Sequence, residues 1–301
     1  MLPVKVWIRE VGPRDGLQME KKFIPTERKV SLIGSLVEAG LKKIEVTSFV
    51  NPKAVAQLKD AEEVVRLLKA NDQVEFSALV LNKRGMERAV ASGIPEVVLV
   101  VSATETHSLR NGGRSISQVL QEMSRMARLG AKEGIRLRGA VAVAFGCPFE
   151  GEVPVAALER VVGAMSESGS RQITLADTAG LASPVQVRRV LQFFRDQYRD
   201  IAWGLHFHDT RGLALVNVYA GLEEGVTLFE SSVGGLGGCP FIPNAAGNVA
   251  TEDLVNMLAM LGLETGVDLE KLVKIAGELE SLLGRTLPSR LLRLSEQAGC
   301  V

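Results

Sequence analysis

Eight short runs of β-branched and apolar residues alternate with stretches of helical spacing, and this rhythm limits the folds open to the chain. The runs are 4-VKVWIREV-11, 43-KIEVTSF-49, 75-EFSALV-80, 96-EVVLVVSA-103, 136-RLRGAVAVAF-145, 172-QITLADT-178, 202-AWGLHFHD-209 and 227-TLFESSVGG-235. Between them lie 26-TERKVSLIGSLVEAG-40, 53-KAVAQLKDAEEVVRLLKA-70 and 184-PVQVRRVLQFFRDQY-198, each with apolar residues three and four apart. Gly40, Gly93, Gly134, Gly169 and Gly225 sit where helices should stop in a left-handed cap. Eight βα units of about 30 residues imply parallel strands with crossover helices. Closing the sheet gives an α/β fold of the (β/α)8 TIM-barrel type, with a doubly wound open sheet as the competing arrangement. From about residue 251 the chain again reads as helical, giving the last barrel helix and additional C-terminal helices. No Pro/Ser-rich linker divides the sequence, so residues 1–301 are expected to form one catalytic barrel domain, with about 263–301 as appended helices.

Composition narrows the partners. Of 301 residues, 46% are hydrophobic, enough for a large core. Lys plus Arg equals Asp plus Glu, at 35 each, which leaves no electrostatic footprint for nucleic acid or an anionic membrane. No apolar run reaches the roughly 18 residues a membrane span needs, and MLPVKVWIRE lacks the apolar segment of a signal peptide. The three cysteines, Cys147, Cys239 and Cys300, are too few for a disulfide scaffold, so a reducing, cytoplasmic setting is expected.

Active sites of such barrels lie at the C-terminal ends of the strands. The seventh run supplies the sharpest candidate there: two of the three histidines, His206 and His208, stand two residues apart. On a strand that spacing turns both imidazoles to one face and Phe207 to the other. A single satisfied core histidine is the plainer alternative, but a pair at a strand end suits a metal. Strand-end neighbours offer further groups: Arg14 and Asp15 after run one, Glu45 near the end of run two, Asp177 ending run six, and Cys239 and Asn248 after run eight. Two imidazoles, a carboxylate and an amide oxygen make a fairly hard site that fits Mg²⁺ or Mn²⁺, with Fe(II) the alternative. Arg14 reads either as the ion-pair partner of Asp15 or as a guanidinium aimed at a developing oxyanion. The stretch 234-GGLGGCPF-241 lacks phosphate-loop spacing and reads as a lid carrying Cys239, with a plain barrel loop holding a buried thiol as the alternative. Cys147 reads as structural, and His107 either as a mouth residue or as a solvated loop histidine.

The runs 10-EVGPRDGLQ-18, 44-IEVTSFVNPK-53, 146-GCPFEG-151, 205-LHFHDTRGLAL-215 and 232-SVGGLGGCPFIPNAAGNVATEDLV-255 resemble, in this order, the 3-hydroxy-3-methylglutaryl-CoA lyase family. GGLGGCP followed by GN-x-A-T-E-D favours the lyases over the related barrel synthases. The resemblance implies metal-dependent retro-Claisen cleavage of 3-hydroxy-3-methylglutaryl-CoA to acetyl-CoA and acetoacetate, as in leucine catabolism and ketone-body formation. It assigns Asp15, His206, His208 and Asn248 to the metal, Arg14 to enolate charge, and Glu45 and Asp177 to the reacting centre. Cys239 falls to the mobile loop, and Gln18 and Glu252 to supporting positions. His206 or Asp15 would act as base and Cys239 as acid. The implied partner is a small acyl-CoA, and a homodimer is expected. Departures are Met19, Ala140 in place of a tyrosine, LADTAG at 175–180, Arg211 and Leu213. They imply a wider acyl pocket and leave a related ester such as (R)-citramalyl-CoA, or the synthase reaction, as alternatives. Cys300 is expected to be a reduced terminal thiol.

Overall fold

The computed structural model describes residues 2–69, 71–238 and 246–298, so Cys239 and Cys300 lie outside the described residues. The strands are β1 (Trp7–Glu10), β2 (Lys43–Ser48), β3 (Glu75–Val80), β4 (Glu96–Ser102), β5 (Arg136–Ala142), β6 (Gln172–Asp177), β7 (Ala202–Phe207) and β8 (Leu228–Ser231). They pair in sequence order into a closed barrel. Every pairing is parallel, and β1 closes onto β8 with Trp7 opposite Leu228 and Glu10 opposite Ser231. Each run read from the sequence contains one of these strands, and the open sheet is excluded.

The surrounding helices are α1 (Thr26–Glu38), α2 (Ala61–Leu67), α3 (Lys83–Ser92), α4 (Glu105–Gly112), α5 (Ile116–Lys132), α6 (Val155–Glu167), α7 (Pro184–Gln197) and α8 (Ala214–Glu223). Then follow α9 (Thr251–Met260), α10 (Leu269–Leu283) and α11 (Arg290–Ala298). The five glycines assigned to helix stops all have positive φ, from 71° to 98°. The expected continuous helix over 53–70 is instead a 3₁₀ turn at Ala56–Leu58 followed by α2. Side chains at the break are committed elsewhere. Gln57 Oε1 accepts from Ile24 N (2.9 Å) and its Nε2 donates to Lys22 O (2.9 Å). Asp60 accepts from Lys29 Nζ (2.7 Å) and Thr26 Oγ1 (2.8 Å). These bonds tie the segment to α1 and outweigh its helical periodicity.

Alternation along the strands sends side chains to opposite faces. Outward residues such as Ile44, Val46, Val97, Leu99, Val141 and Leu205 bury against the helices in the main core. The inside is different, because much of it is ionic. Arg9, with 0% exposure, donates from Nη1 to Glu96 (2.6 Å) and Ser77 (3.1 Å) and from Nη2 to Gln172 Oε1 (3.3 Å). These groups come from β1, β3, β4 and β6 and fill the lower interior. Above them on one side lies a small aliphatic cluster of Val50, Leu79, Val98 and Ala140. Among the described residues no helix is long and apolar enough to cross a membrane.

Candidate metal centre

The turn after β1 is a single π-helical turn, Gly12–Gly16, closed by hydrogen bonds from Asp15 N and Gly16 N to Val11 O (2.7 and 3.2 Å). It carries Arg14 and Asp15 over the barrel mouth. Across from it, β7 supplies His206 and the residue just beyond its end, His208, with ring centroids 5.2 Å apart. Phe207 points away, as the strand period requires, and meets Phe145 at 5.8 Å between centroids. One ligand atom each from Asp15, His206 and His208 lies within 4.8 Å of the others, and all three residues are buried. The segment after β8 returns beside β7, where Asn248 forms a β-bridge with His208.

Asn248 decides what the cluster can hold. Its Nδ2 donates to Asp15 Oδ2 and to Leu236 O, both at 2.8 Å. Its Oδ1 is buried with no hydrogen-bond partner. A buried acceptor left unpaired costs about 1–3 kcal/mol unless a cation or water meets it. Carboxylate, imidazole and amide oxygen fit a divalent cation of intermediate to hard character. His206 is anchored from behind, since its Nδ1 lies 3.1 Å from Glu230 Oε2 and its Nε2 is thereby left for a ligand.

Charges in the cluster perturb one another. Burial opposes the Asp15 charge, but Arg14, His206 and His208 more than offset it and hold the carboxyl below its usual range. Burial, with His206 adding to it, pushes His208 down to about 4. Burial also disfavours charge on His206, but the hydrogen bond and charge of Glu230 outweigh it and raise that imidazole.

Behind the cluster runs a relay of ion pairs. Arg14 Nη1 donates to Asp15 Oδ1 (2.5 Å) and its Nε to Glu45 Oε1. Gln18 Nε2 donates to the same Asp15 oxygen (2.8 Å). Glu45 Oε2 accepts from Arg138, whose other nitrogen, Nη1, donates to Glu230 Oε1 (2.6 Å). Thr174 Oγ1 completes the set on Glu230 (3.1 Å). Glu45 stands mid-strand rather than near the strand end, because β2 runs on to Ser48.

The structure thus gathers Arg14, Asp15, Gln18, Glu45, His206, His208 and Asn248. Asp177 ends β6 as expected, but both its oxygens are taken by its own loop, from Leu181 N (2.7 Å) and Ala182 N (3.0 Å). Burial pushes Asp177 up to about 6. Glu252 sits behind the mouth on α9, where it accepts from Gly234 N (3.0 Å), and burial pushes it up to about 7. His107 is not a solvated loop residue: it lies on α4 with 2% exposure, its Nδ1 2.7 Å from Ser102 Oγ. Cys147 is buried and accepts from Thr104 Oγ1 (3.1 Å). Sequence reasoning missed Arg138 and Glu230. Their signal was a charge standing inside an apolar strand run, as in 136-RLRGAVA-142 and 228-LFES-231.

Fold and cluster together define a (β/α)8 barrel with a cation-type site at its C-terminal rim. The HMGL-like family profile matches residues 5–278. The chain is 43% identical over 292 residues to a hydroxymethylglutaryl-CoA lyase of Bacillus subtilis, covering 97% of this chain and 98% of that one. It is 42% identical over 290 residues to the hydroxymethylglutaryl-CoA lyase of Pseudomonas mevalonii, covering 96% of each. A crystal structure of the B. subtilis HMG-CoA lyase superposes with a TM-score of 0.95 at 42% identity, covering 98% and 99% of the two chains. An HMG-CoA lyase from A. baumannii, in complex with coenzyme A and 3-methylmalate, superposes with a TM-score of 0.93 at 39% identity, covering 99% and 97%. The chain belongs to the HMGL-like family.

Proposed function

We propose that this chain is a hydroxymethylglutaryl-CoA lyase, cleaving a 3-hydroxy-3-methylglutaryl thioester to acetyl-CoA and acetoacetate. The observation that carries the reading is the buried Asp15–His206–His208 cluster, with Asn248 hydrogen-bonded to Asp15, its Oδ1 left unpaired, and Arg14 alongside. Relatives with that name at 42–43% identity over nearly the whole chain support it, as does a related structure holding coenzyme A.

Asp15, His206, His208 and Asn248 would hold Mg²⁺ or Mn²⁺, which supplies Lewis acidity to a substrate hydroxyl. The remaining work falls to the chain. Asp15 is the candidate to accept the C3-hydroxyl proton, since His206 gives its Nδ1 to Glu230 and its Nε2 to the cation. The C2–C3 bond then breaks, the C3 fragment becomes the ketone and the electron pair passes into the thioester enolate. Arg14 spends two of its five N–H groups on Glu45 and Asp15, so three remain to meet the enolate oxygen. Because both partners hold the guanidinium in place, it need not reorganise as charge develops. Asp177 and Glu252 keep the surrounding loops in position through backbone N–H groups. Cys239 is the proposed acid that returns a proton to C2. The reading includes a cytoplasmic homodimer, supported by the low cysteine count and by exposed Leu282 and Leu294 on the terminal helices.

The test is a panel of acyl-CoA esters with and without Mg²⁺ or Mn²⁺, run beside Arg14→Met. The methylglutaryl ester should be cleaved only with the cation, and the variant should lose about 10³-fold in kcat with little change in KM. Cleavage that survives complete chelation, or a variant of near-normal kcat, refutes the assignment. Citramalyl-CoA belongs in the panel because Ala140 and its aliphatic neighbours leave that wall without a large polar side chain. Acetyl-CoA with 2-oxo acids belongs there too, since net condensation would reveal a synthase.

A further inference from the structure

Two turns frame the site, and a single buried carboxylate lies at their junction. One turn is Gly12–Gly16 with Arg14 and Asp15. The other is Val233–Gly235 after β8, from which the chain continues towards Asn248. The two are packed too closely to admit a methyl group. A Cβ on Gly12 would stand 3.2 Å from Ser232 Oγ and 3.3 Å from Val233 Cγ1. One on Gly16 would stand 2.7 Å from Ser232 Oγ and 2.8 Å from Leu236 Cβ.

Glu10, the last residue of β1, is fully buried at the base of this contact. Its Oε1 accepts from Gly12 N (2.7 Å) and from Val233 N (2.9 Å), so one oxygen joins the two turns. Its Oε2 accepts from Thr251 Oγ1 (2.6 Å), at the start of α9 and three residues after Asn248. A single side chain thus ties together the segment bearing Asp15, the turn after β8 and the segment bearing Asn248. Asp15 and Asn248 touch each other directly at 2.8 Å, so a slip between these segments is felt at once in the ligand cluster.

We propose that Glu10 is a positioning residue that fixes the spacing of Asp15 and Asn248, and so sets the cluster's affinity for a divalent cation. The proposal rests on the reading of that cluster as a cation site. Glu10 does not face the reacting atoms; it acts through the two turns.

The geometry distinguishes the substitutions. Glu10→Gln keeps an oxygen for Gly12 N and Val233 N, and its amide can donate to Thr251 Oγ1, which has Ser231 Oγ as a second partner (2.8 Å). Glu10→Leu has similar size but leaves two buried backbone donors, Gly12 N and Val233 N, without an acceptor, and Thr251 Oγ1 with Ser231 Oγ alone. Glu10→Asp is one methylene short of the three-way contact.

The experiment is a Mn²⁺ titration of the full chain and these variants, read by the electron paramagnetic resonance signal of free Mn²⁺, with steady-state kinetics alongside. Glu10→Leu should bind Mn²⁺ about 10–100-fold more weakly, the usual size of an effect from residues that support metal ligands. Glu10→Gln should recover most of that affinity. The kinetic loss in Glu10→Leu should fall on kcat more than on KM for the ester. If Glu10→Leu does not fold, judged by circular dichroism, Glu10→Asp replaces it with the same expectation. Wild-type Mn²⁺ affinity in the folded Leu or Asp variant overturns the proposal, as does a Gln variant as weak as Leu. A wild-type chain that binds no Mn²⁺ overturns it too. A wild type that binds Mn²⁺ but cleaves no acyl-CoA sinks the lyase reading alone, and the Mn²⁺ ratios still decide the role of Glu10.

Discussion

Arg138 donates to both Glu45 and Glu230, and replacing it with methionine tests the ion relay under the site. Its side chain is 1% exposed, against 0% for Glu45 and 4% for Glu230. Removing one member of a buried ionic set costs about 3–5 kcal/mol, because Glu45 and Glu230 stay out of water and lose a guanidinium, keeping only Arg14 and His206 as charged hydrogen-bond partners. With about 2 cal/mol/K of unfolding entropy per residue, a chain of this length converts that loss to a fall of about 5–8 °C in Tm. The pH dependence follows from Glu230. Burial opposes its charge, yet Arg138, His206 and Arg9 hold its carboxyl well below the usual range. An acid with a depressed folded pKa contributes stability above its unfolded value, near 4.5, and loses it only in stronger acid. Without Arg138 the folded pKa rises, and the retained charge becomes a cost that grows as pH increases. The Tm difference between wild type and Arg138→Met should therefore be largest at pH 7–8 and shrink towards pH 5. The double variant Arg138→Met/Glu230→Leu should regain part of the loss, since replacing both partners removes the stranded charge. Differential scanning calorimetry at one scan rate reads all three. A single variant melting within 1–2 °C of wild type at pH 7.5, or a double variant less stable than the single, refutes the reasoning.

Two further outcomes follow from the site's surroundings. Gly16→Ala places a methyl group against Ser232 Oγ and Leu236 Cβ, so it should displace the Asp15 turn and lower Mn²⁺ affinity, whereas Gly34→Ala, with nothing within 4 Å, should not; equal affinities in the two would contradict the packing. Burial raises Glu252 to about 7, and an acid with a raised folded pKa loses stability as pH climbs from about 4.5 to 7. Glu252→Gln keeps an acceptor for Gly234 N and should remove up to about 3 kcal/mol of that decline, visible as a flatter plot of Tm against pH; an unchanged slope would show that the carboxyl is already charged throughout.

How much of this could be read from the sequence varied with the kind of residue. The strands were legible because parallel strands buried on both faces are dense in Val, Ile and Leu. Asp15, His206, His208 and Asn248 were legible because the barrel places its chemistry at strand ends, where such residues stand out. Arg9, Arg138, Glu96 and Glu230 were not, because a charge within a strand gives no sign of whether it faces in or out until neighbouring strands are aligned. The alignment puts Arg138 beside Val98 on β4, and its side chain reaches Glu45 and Glu230. The break at Asp60 was hidden for a similar reason, since its partners Thr26 and Lys29 are over 30 residues away. Glu10 shows the limit most clearly: within IREVG it looks like a surface charge, and its three partners lie in segments up to 241 residues distant.

The ionic plug under the aliphatic cluster bears on how molecules pass through the barrel. Among the described residues, Arg9 and its partners fill the lower interior, which closes the route through the bottom of the barrel. Under the lyase reading, with the acyl group laid on the ligand cluster and the coenzyme towards solvent, the coenzyme-bearing fragment would stand between the ketone and the rim. Departure is then sequential, the thioester first and the keto acid after it. Acetoacetate should compete with the incoming ester for the vacated enzyme while acetyl-CoA inhibits noncompetitively, and the opposite pattern would mean that the small product has another way out.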